Sequence, residues 1–150
     1  MKIALLFLTL STAAFAQPNT CGGLTSVTDG AKPVYPPIAR AAHVNGIVIL
    51  LVSFKTAGEA DFVQIVSGPP MLRPAATDYV KSWRANQYTG PRTCPIILQY
   101  QLTSPACDEP MSSAISTERQ DAQHTVIHDR AVTICDPGAE IERKRRFLFF

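Results

Sequence analysis

The four cysteines carry the clearest chemistry in this chain: Cys21, Cys94, Cys107 and Cys135. No two are close in sequence and no C-x-x-C pair occurs, so their spacing does not fit a zinc site. An even number of cysteines in an exported chain favours two disulfides, and four cysteines allow three pairings. We favour Cys107–Cys135, which staples the C-terminal region to itself, and Cys21–Cys94, which ties the N-terminal arm to the central region.

Two histidines form the next candidate site. His124 and His128 are four positions apart and flank three residues rich in β-branched side chains, Thr125-Val126-Ile127. On a helix the two imidazoles share a face, but β-branched residues favour a strand, where they are ~13 Å apart. No third ligand lies nearby in sequence, so we predict that the chain binds no metal.

Hydrolysis is the remaining chemistry to consider. His128-Asp129-Arg130 together with a serine could suggest a hydrolase, but no G-x-S-x-G pattern is present. Cysteines held in disulfides cannot act as nucleophiles. The sequence therefore predicts a protein without catalytic residues or cofactors.

The N-terminus has the features of a signal peptide. Lys2 is followed by the apolar segment Ile3–Phe15 and by Ala14-Phe15-Ala16, an A-x-A cleavage site. The apolar segment is shorter than the ~20 residues that a spanning helix needs, and a membrane anchor is the alternative. We expect cleavage after Ala16 and export, with the periplasm as the destination.

Charge excludes one class of partner. The chain of 150 residues has a formal charge of +2, and removing Lys2 leaves +1, which does not indicate nucleic acid binding. Its basic residues cluster in Arg143–Arg146, ahead of Phe147-Leu148-Phe149-Phe150. Contact with anionic lipid is one interpretation of this end; a protected edge strand or an unstructured end is the other.

The central region, residues 33–102, has a pattern of short alternating elements. A short helix is predicted at Ile38–His43, with Pro37 in its first turn. Ile47–Phe54 is almost continuously apolar and predicts a strand with both faces partly covered. A turn at Gly58 leads to a second predicted strand, Ala60–Val66.

The second half of this region predicts a helix and a strand. The helix spans Leu72–Tyr88 because its apolar residues recur at helical spacing, with Trp83 as a core residue. The strand Ile96–Leu102 places Ile96, Leu98, Tyr100 and Leu102 on one face. Residues 17–32 form an arm, and 103–150 form a partly irregular extension with short strands at Thr125–Ile127 and Ala131–Ile134. The fold class is therefore α+β: a small antiparallel sheet with two helices and a strand-bearing extension.

In its order and spacing, the central region resembles the C-terminal domain of TonB. The resemblance rests on the following residues: Tyr35-Pro36, Ala39-Arg40, Gly46, Val48, Gly58, Ser67-Gly68, Leu72, Ala75-Ala76, Val80, Trp83-Arg84 and Pro95. It implies a β-β-α-β core with a short helix in front. It also implies that an extended segment of a partner pairs with the last strand. The chain differs from TonB in its signal-peptide-like start and in its short arm, which replaces a long Pro-rich spacer.

The expected function is therefore protein binding in the cell envelope. An extended segment of an envelope protein, such as an outer-membrane transporter, would pair with the last strand as a sheet edge. The predicted binding residues are Ile96, Ile97, Leu98, Gln99, Tyr100, Gln101 and Leu102. Two alternatives stay open: a structural protein that forms homodimers, and an anchored energy transducer for transport.

Overall fold

The structure is a computed structural model that describes residues 21, 24, 26–86, 93–107 and 115–135. The predicted signal peptide and the basic C-terminal segment lie outside these residues. Within them, no helix is long and apolar enough to cross a membrane. The elements in chain order are β1 (Ser26–Thr28), α1 (Pro37–Ala41), β2 (Gly46–Phe54), β3 (Ala60–Ser67), α2 (Arg73–Lys81), β4 (Arg84–Asn86), β5 (Cys94–Thr103), β6 (Ser116–Arg119) and β7 (His124–Arg130).

Five strands form the main sheet, in the order β3-β2-β5-β7-β6. The pairs β2–β3, β2–β5 and β6–β7 are antiparallel, whereas β5–β7 is parallel. A separate two-stranded sheet joins β1 to β4. The α+β class predicted from the sequence is confirmed, and the main sheet is mixed rather than purely antiparallel.

The core lies on one face of this sheet. Val48, Leu50 and Val52 on β2 are 0 % exposed and alternate with half-buried residues, as one covered face requires. Both helices contribute buried residues to the same cluster, including Ala39 of α1 and Val80 of α2. The opposite face of the sheet, which we call the outer face, carries the intervening side chains.

Helix α2 ends earlier than its apolar pattern predicts. The predicted helix Leu72–Tyr88 is wrong from Ser82 to Asn86, because the helix ends at Lys81 and residues 84–86 form β4; the last two positions of the prediction, 87 and 88, lie outside the described residues. The backbone N–H of Ala85 donates to the carbonyl oxygen of Gly58 at 2.7 Å, which replaces a helical hydrogen bond. Gly58 has φ +85°, and a Cβ there would lie 2.2 Å from the Ala85 oxygen, so the approach requires glycine. Trp83, at the junction, is 1 % exposed, which confirms its predicted place in the core.

The segment before β2 is fixed by Tyr35. Its hydroxyl donates to the carbonyl oxygen of Val44, and its ring meets that of Tyr100 edge-on, with centroids 5.2 Å apart. These contacts hold α1 against β5, on the core face. Residues 17–32, predicted as an arm, contribute a strand of their own, β1.

The extension completes the main sheet. β6 and β7 form a hairpin whose turn is held by Asp121, because its Oδ1 accepts from the backbone N–H groups of Gln123 and His124 at 2.7 and 2.8 Å. The strand predicted at Thr125–Ile127 is present within the longer β7. The strand predicted at Ala131–Ile134 is wrong, since the chain there has no regular structure.

Candidate partner-binding edges of the sheet

Strand β5 is not the free edge that the sequence predicts. It pairs with β2 on one side and with β7 on the other, from Ile97↔His124 to Thr103↔Arg130. The prediction of a free binding edge is therefore wrong for Ile97, Leu98, Gln99, Tyr100, Gln101 and Leu102, whereas Ile96 pairs with Leu50 of β2 and lies one residue before the pairing with β7 begins. The physical reason is the extension: Thr125, Val126 and Ile127 are all buried, and they gain this burial by lying beside β5.

Arg40 joins α1 to the extension. Its Nε lies 3.0 Å from the carbonyl oxygen of Arg130, to which it donates, and 3.5 Å from Oδ2 of Asp129. The side chain of Asp129 is 1 % exposed and that of Arg40 is 20 % exposed. This ion pair lies on the core face, where a carboxylate needs a cation or hydrogen-bond donors to be tolerated.

Two further polar contacts hold the ends of β5 and β7. Nε2 of His43 lies 2.9 Å from the carbonyl oxygen of Val132, and Oδ1 of Asn45 accepts from the backbone N–H of Leu102 at 2.6 Å. The loop between α1 and β2 therefore contacts both strands just where they end. The extension is thus joined to the region before β2 as well as to β5.

Both predicted disulfide pairings are confirmed. Cys21–Cys94 links the arm to the first residue of β5, and Cys107–Cys135 links the segments that follow β5 and β7. Since β5 and β7 are parallel, the second disulfide closes the same end of both strands. It holds the extension in the position that blocks β5.

The open edges of the main sheet are β3 and β6. β3 has eight residues and β6 has four. Arg119, at the end of β6, pairs with Asp29 and lies over the ring of Trp83, with its Cζ 4.6 Å from the ring centroid. The β6 edge is therefore short and its last residue is occupied by internal contacts, which leaves β3 as the longer edge.

The edge of β3 that faces away from β2 pairs with no other strand along its length in the described part of the chain. β4 touches this side through a single bridge, Glu59↔Arg84, just before β3 begins. Asp61, which forms an ion pair with Lys55 at 3.5 Å, is the one charged residue of β3. From Phe62 to Ser67 the edge lacks the lysines and prolines that usually protect such strands.

Exposed apolar side chains accompany this edge. Phe62 and Val66 on β3 are 50 % and 56 % exposed, Ile47 on β2 is 48 % exposed, and Met71 after β3 is 42 % exposed. Gly68 packs against the backbone of Ile47, so the end of β3 and the start of β2 form one corner of the sheet. We call the four exposed apolar residues at this corner, Ile47, Phe62, Val66 and Met71, the β3 strip.

The two histidines lie on β7, on the outer face. They are on a strand, as predicted, and Nε2 of His128 lies 3.9 Å from Oε2 of Glu118. In the described residues, no group of three or more His, Cys, Asp or Glu side chains is arranged to hold a metal ion. His128 therefore lies beside Glu118 on the outer face of the sheet.

Three tyrosines in the core have raised pKa values: Tyr35, Tyr79 and Tyr100. Burial raises the pKa of Tyr35 to about 12, with a further contribution from the negative charge of Asp129. Burial also raises the pKa of Tyr79 to about 12, and Asp29 adds to this increase. The pKa of Tyr100 is raised as well, chiefly by burial. The core therefore favours neutral phenols and disfavours tyrosinates.

Comparison with known families agrees with this architecture. A family described as Gram-negative bacterial TonB protein C-terminal matches residues 31–102, just under half of the chain. Curated proteins provide no match. The matched region runs from the segment before Tyr35 through β5, and it excludes the hairpin of β6 and β7. Residues 31–102 are a TonB C-terminal domain.

Proposed function

We propose that this protein binds an extended segment of an envelope protein along the open edge of β3. The observation that carries the proposal is an edge of eight residues with one charged side chain, flanked by the β3 strip. An edge strand presents unpaired N–H and C=O groups, which a second extended chain can pair. Backbone pairing supplies affinity, and pockets or strips of side chains supply selectivity.

The family supports a protein partner. TonB C-terminal domains are protein-interaction domains that act with outer-membrane proteins, and they are not an enzyme family. An outer-membrane transport protein is therefore the partner class that we propose. Its segment should carry apolar side chains at alternate positions, because alternate residues of an added strand face the same side as Phe62 and Val66.

The disulfides and the family support a periplasmic location. Disulfides persist in oxidising compartments such as the bacterial periplasm, and TonB C-terminal domains are periplasmic in Gram-negative bacteria. We propose that the N-terminal segment directs export to the periplasm and is cleaved after Ala16. The N-terminal sequence of the protein purified from its native envelope tests this step.

Site-specific photo-crosslinking in the source bacterium tests the binding site. A crosslinking amino acid is placed in turn at Phe62, Gln64 and Val66 on β3, and at Ile134 as a control. Ile134 is 93 % exposed and lies outside the main sheet. We expect one partner segment to crosslink from the three β3 positions, at residues about two apart for each step along the strand.

Two results contradict the proposal. One is a set of crosslinks equally strong from Ile134, which indicates nonspecific contact. The other is a partner segment that crosslinks from Ser116 and Thr117 of β6 and from none of the β3 positions. As a second check, Val66→Lys should abolish the crosslink from Gln64, whereas Ile134→Lys should leave it unchanged, because a charge on the edge opposes pairing.

A further inference from the structure

Helix α2 lies over the open edge of β3, on the core face of the sheet. It packs more extensively on β3 than on β2. At the start of the helix, Nε of Arg73 donates to the carbonyl oxygen of Gly68, just after β3, at 2.9 Å. Beyond its end, the N–H of Ala85 donates to the carbonyl oxygen of Gly58, just before β3. The helix therefore runs antiparallel to β3 and along the length of the strand.

One side of α2 faces outwards over this edge. Tyr79 marks the opposite side, because the charges of Asp29 and of Arg119 on β6, at the far edge of the sheet, act on its hydroxyl. At about 100° per residue, three residues lie about 120° to 160° around the helix from Tyr79: Arg73, Thr77 and Lys81. We call these three residues the α2 flank.

The α2 flank is basic. Within the described residues, neither Arg73 nor Lys81 forms an ion pair. The acids beside the start of β3, Glu59 and Asp61, are each paired with a neighbouring cation, at 3.0 and 3.5 Å. Asp78, the acidic residue of α2, is exposed and lies outside the flank. The positive charge of the flank is therefore available to a partner at the β3 edge.

The core face is incompletely covered between the flank and the edge. Leu50 and Val52 on β2 are 0 % exposed, whereas Ile65 and Val63, which lie opposite them on β3, are only half-buried. A strand added beside β3 places every second side chain on this same face. Glutamate fits such positions, since its methylene groups can pack on the two aliphatic residues while its carboxylate meets the cations of the flank.

The spacing along the edge agrees with two such glutamates. Register shifts at both ends of the β2–β3 pair leave Phe62–Ile65 as the regular stretch of β3. Arg73 and Lys81 are about 12 Å apart along the helix axis, at about 1.5 Å per residue. Residues two or four positions apart on one face of a strand are about 7 to 13 Å apart. Two alternate side chains of the added strand therefore match the two cations.

We propose that the partner segment at β3 is acidic on one side. It carries glutamates at alternate positions, which meet the α2 flank, and apolar side chains at the intervening positions, which meet the β3 strip. This inference rests on the proposed binding at β3 and adds the chemistry by which that site selects its partner. Because the flank lies at the surface, the preference for acidic segments should weaken as salt increases.

Fluorescence anisotropy of the processed, oxidised protein with two labelled peptides tests the proposal. Both peptides have valine at alternate positions, and the intervening positions are glutamate in one peptide and lysine in the other. At about 50 mM salt we expect the glutamate peptide to bind at least about tenfold more tightly. At about 500 mM salt the ratio should fall below about threefold.

Substitutions at Thr77 test the flank itself. Thr77→Lys adds a cation at its middle and should strengthen binding of the glutamate peptide about two- to fivefold, whereas Thr77→Glu should weaken it by a similar factor. Lysine and glutamate both favour helix more than threonine does, so α2 should be retained. Gln120→Lys and Gln120→Glu are the matched controls. Gln120 is exposed just after β6, at the opposite edge of the sheet, and neither change should alter binding.

Several results overturn the proposal: equal binding of the two peptides, tighter binding of the lysine peptide, no binding of either, or no effect of Thr77→Glu. The crosslink from Gln64 separates this failure from failure of the proposed function. If Gln64 crosslinks to a partner in the source bacterium and the peptides do not differ, the binding site stands and its acidic selectivity is wrong. If Gln64 gives no crosslink and neither peptide binds, both proposals are wrong.

Discussion

Replacing Arg40 should destabilise the whole fold. Its guanidinium joins the TonB C-terminal domain, residues 31–102 (the family domain), to the extension, residues 103–150. Arg40→Met keeps most of the aliphatic volume but removes the contact to Asp129 at 3.5 Å and the hydrogen bond to the carbonyl oxygen of Arg130 at 3.0 Å. Removing one partner of a buried ion pair costs about 3–5 kcal/mol. Because Arg40 is itself 20 % exposed, water weakens the interaction, and we expect a cost just below this range, about 2–3 kcal/mol.

The two partners should not be equivalent. Arg40→Met removes a cation from a carboxylate that is 1 % exposed, whereas Asp129→Asn leaves a guanidinium that still reaches water. An asparagine at 129 also keeps an oxygen that can accept from the N–H of Arg130, as Oδ1 of Asp129 does at 2.8 Å. We therefore expect Asp129→Asn to cost about 1 kcal/mol, less than Arg40→Met.

Urea unfolding of both single variants and the double variant, with disulfides intact, measures these terms. We expect a coupling free energy of about 1–2 kcal/mol, and a decrease of about 6–10 °C in the melting temperature of Arg40→Met. Lys55→Met is the matched control, because its ion pair with Asp61 is exposed and should contribute less than about 1 kcal/mol. Equal losses for Arg40→Met and Lys55→Met, or a coupling below about 0.5 kcal/mol, would refute the reasoning.

Two further predictions concern pH and the disulfides. Tyr35 has a raised pKa of about 12 in the folded protein, so the stability that it contributes is complete below about pH 10, the pKa of an exposed tyrosine, and is lost as pH rises through 12. Tyr35→Phe should lessen the loss of unfolding free energy between about pH 10 and 12, and an unchanged slope contradicts this. Replacing both Cys107 and Cys135 by alanine opens a loop with a sequence separation of 28 and should cost about 3–4 kcal/mol in urea unfolding. A loss below about 1 kcal/mol would show that the extension is held without its disulfide.

Local patterns predicted the strands of the family domain well. β2 and β5 have apolar runs with clear ends, and their observed bounds differ from the predicted ones by one or two residues. The disulfides were predictable for a related reason. Cys94 is the first residue of β5, so a bond to Cys21 fixes the arm at the start of a strand. In each case neighbouring residues in the sequence carry most of the signal.

The errors arose where distant residues decide the structure. Residues 84–86 continue a helical pattern, yet the hydrogen bond from Ala85 to Gly58 makes them a strand. The partner of β5 lies more than twenty residues further on, beyond a loop, and no local pattern gives its register. One signal was available: Thr125-Val126-Ile127 is a continuous β-branched run, which favours a strand covered on both faces and hence an interior position.

The extension determines which edge of this sheet can accept a partner. By placing β7 beside β5, it turns the last strand of the family domain into an interior strand and moves that edge to β6. β6 has four residues, and Arg119 is held by Trp83 and Asp29, so the edge gained is shorter than the edge lost. β3 lies at the other side of the sheet, separated from the extension by β2 and β5. Contacts that hold the extension should therefore govern the stability of the fold, while partner binding at β3 should depend on the side chains of β3 and of α2 beside it.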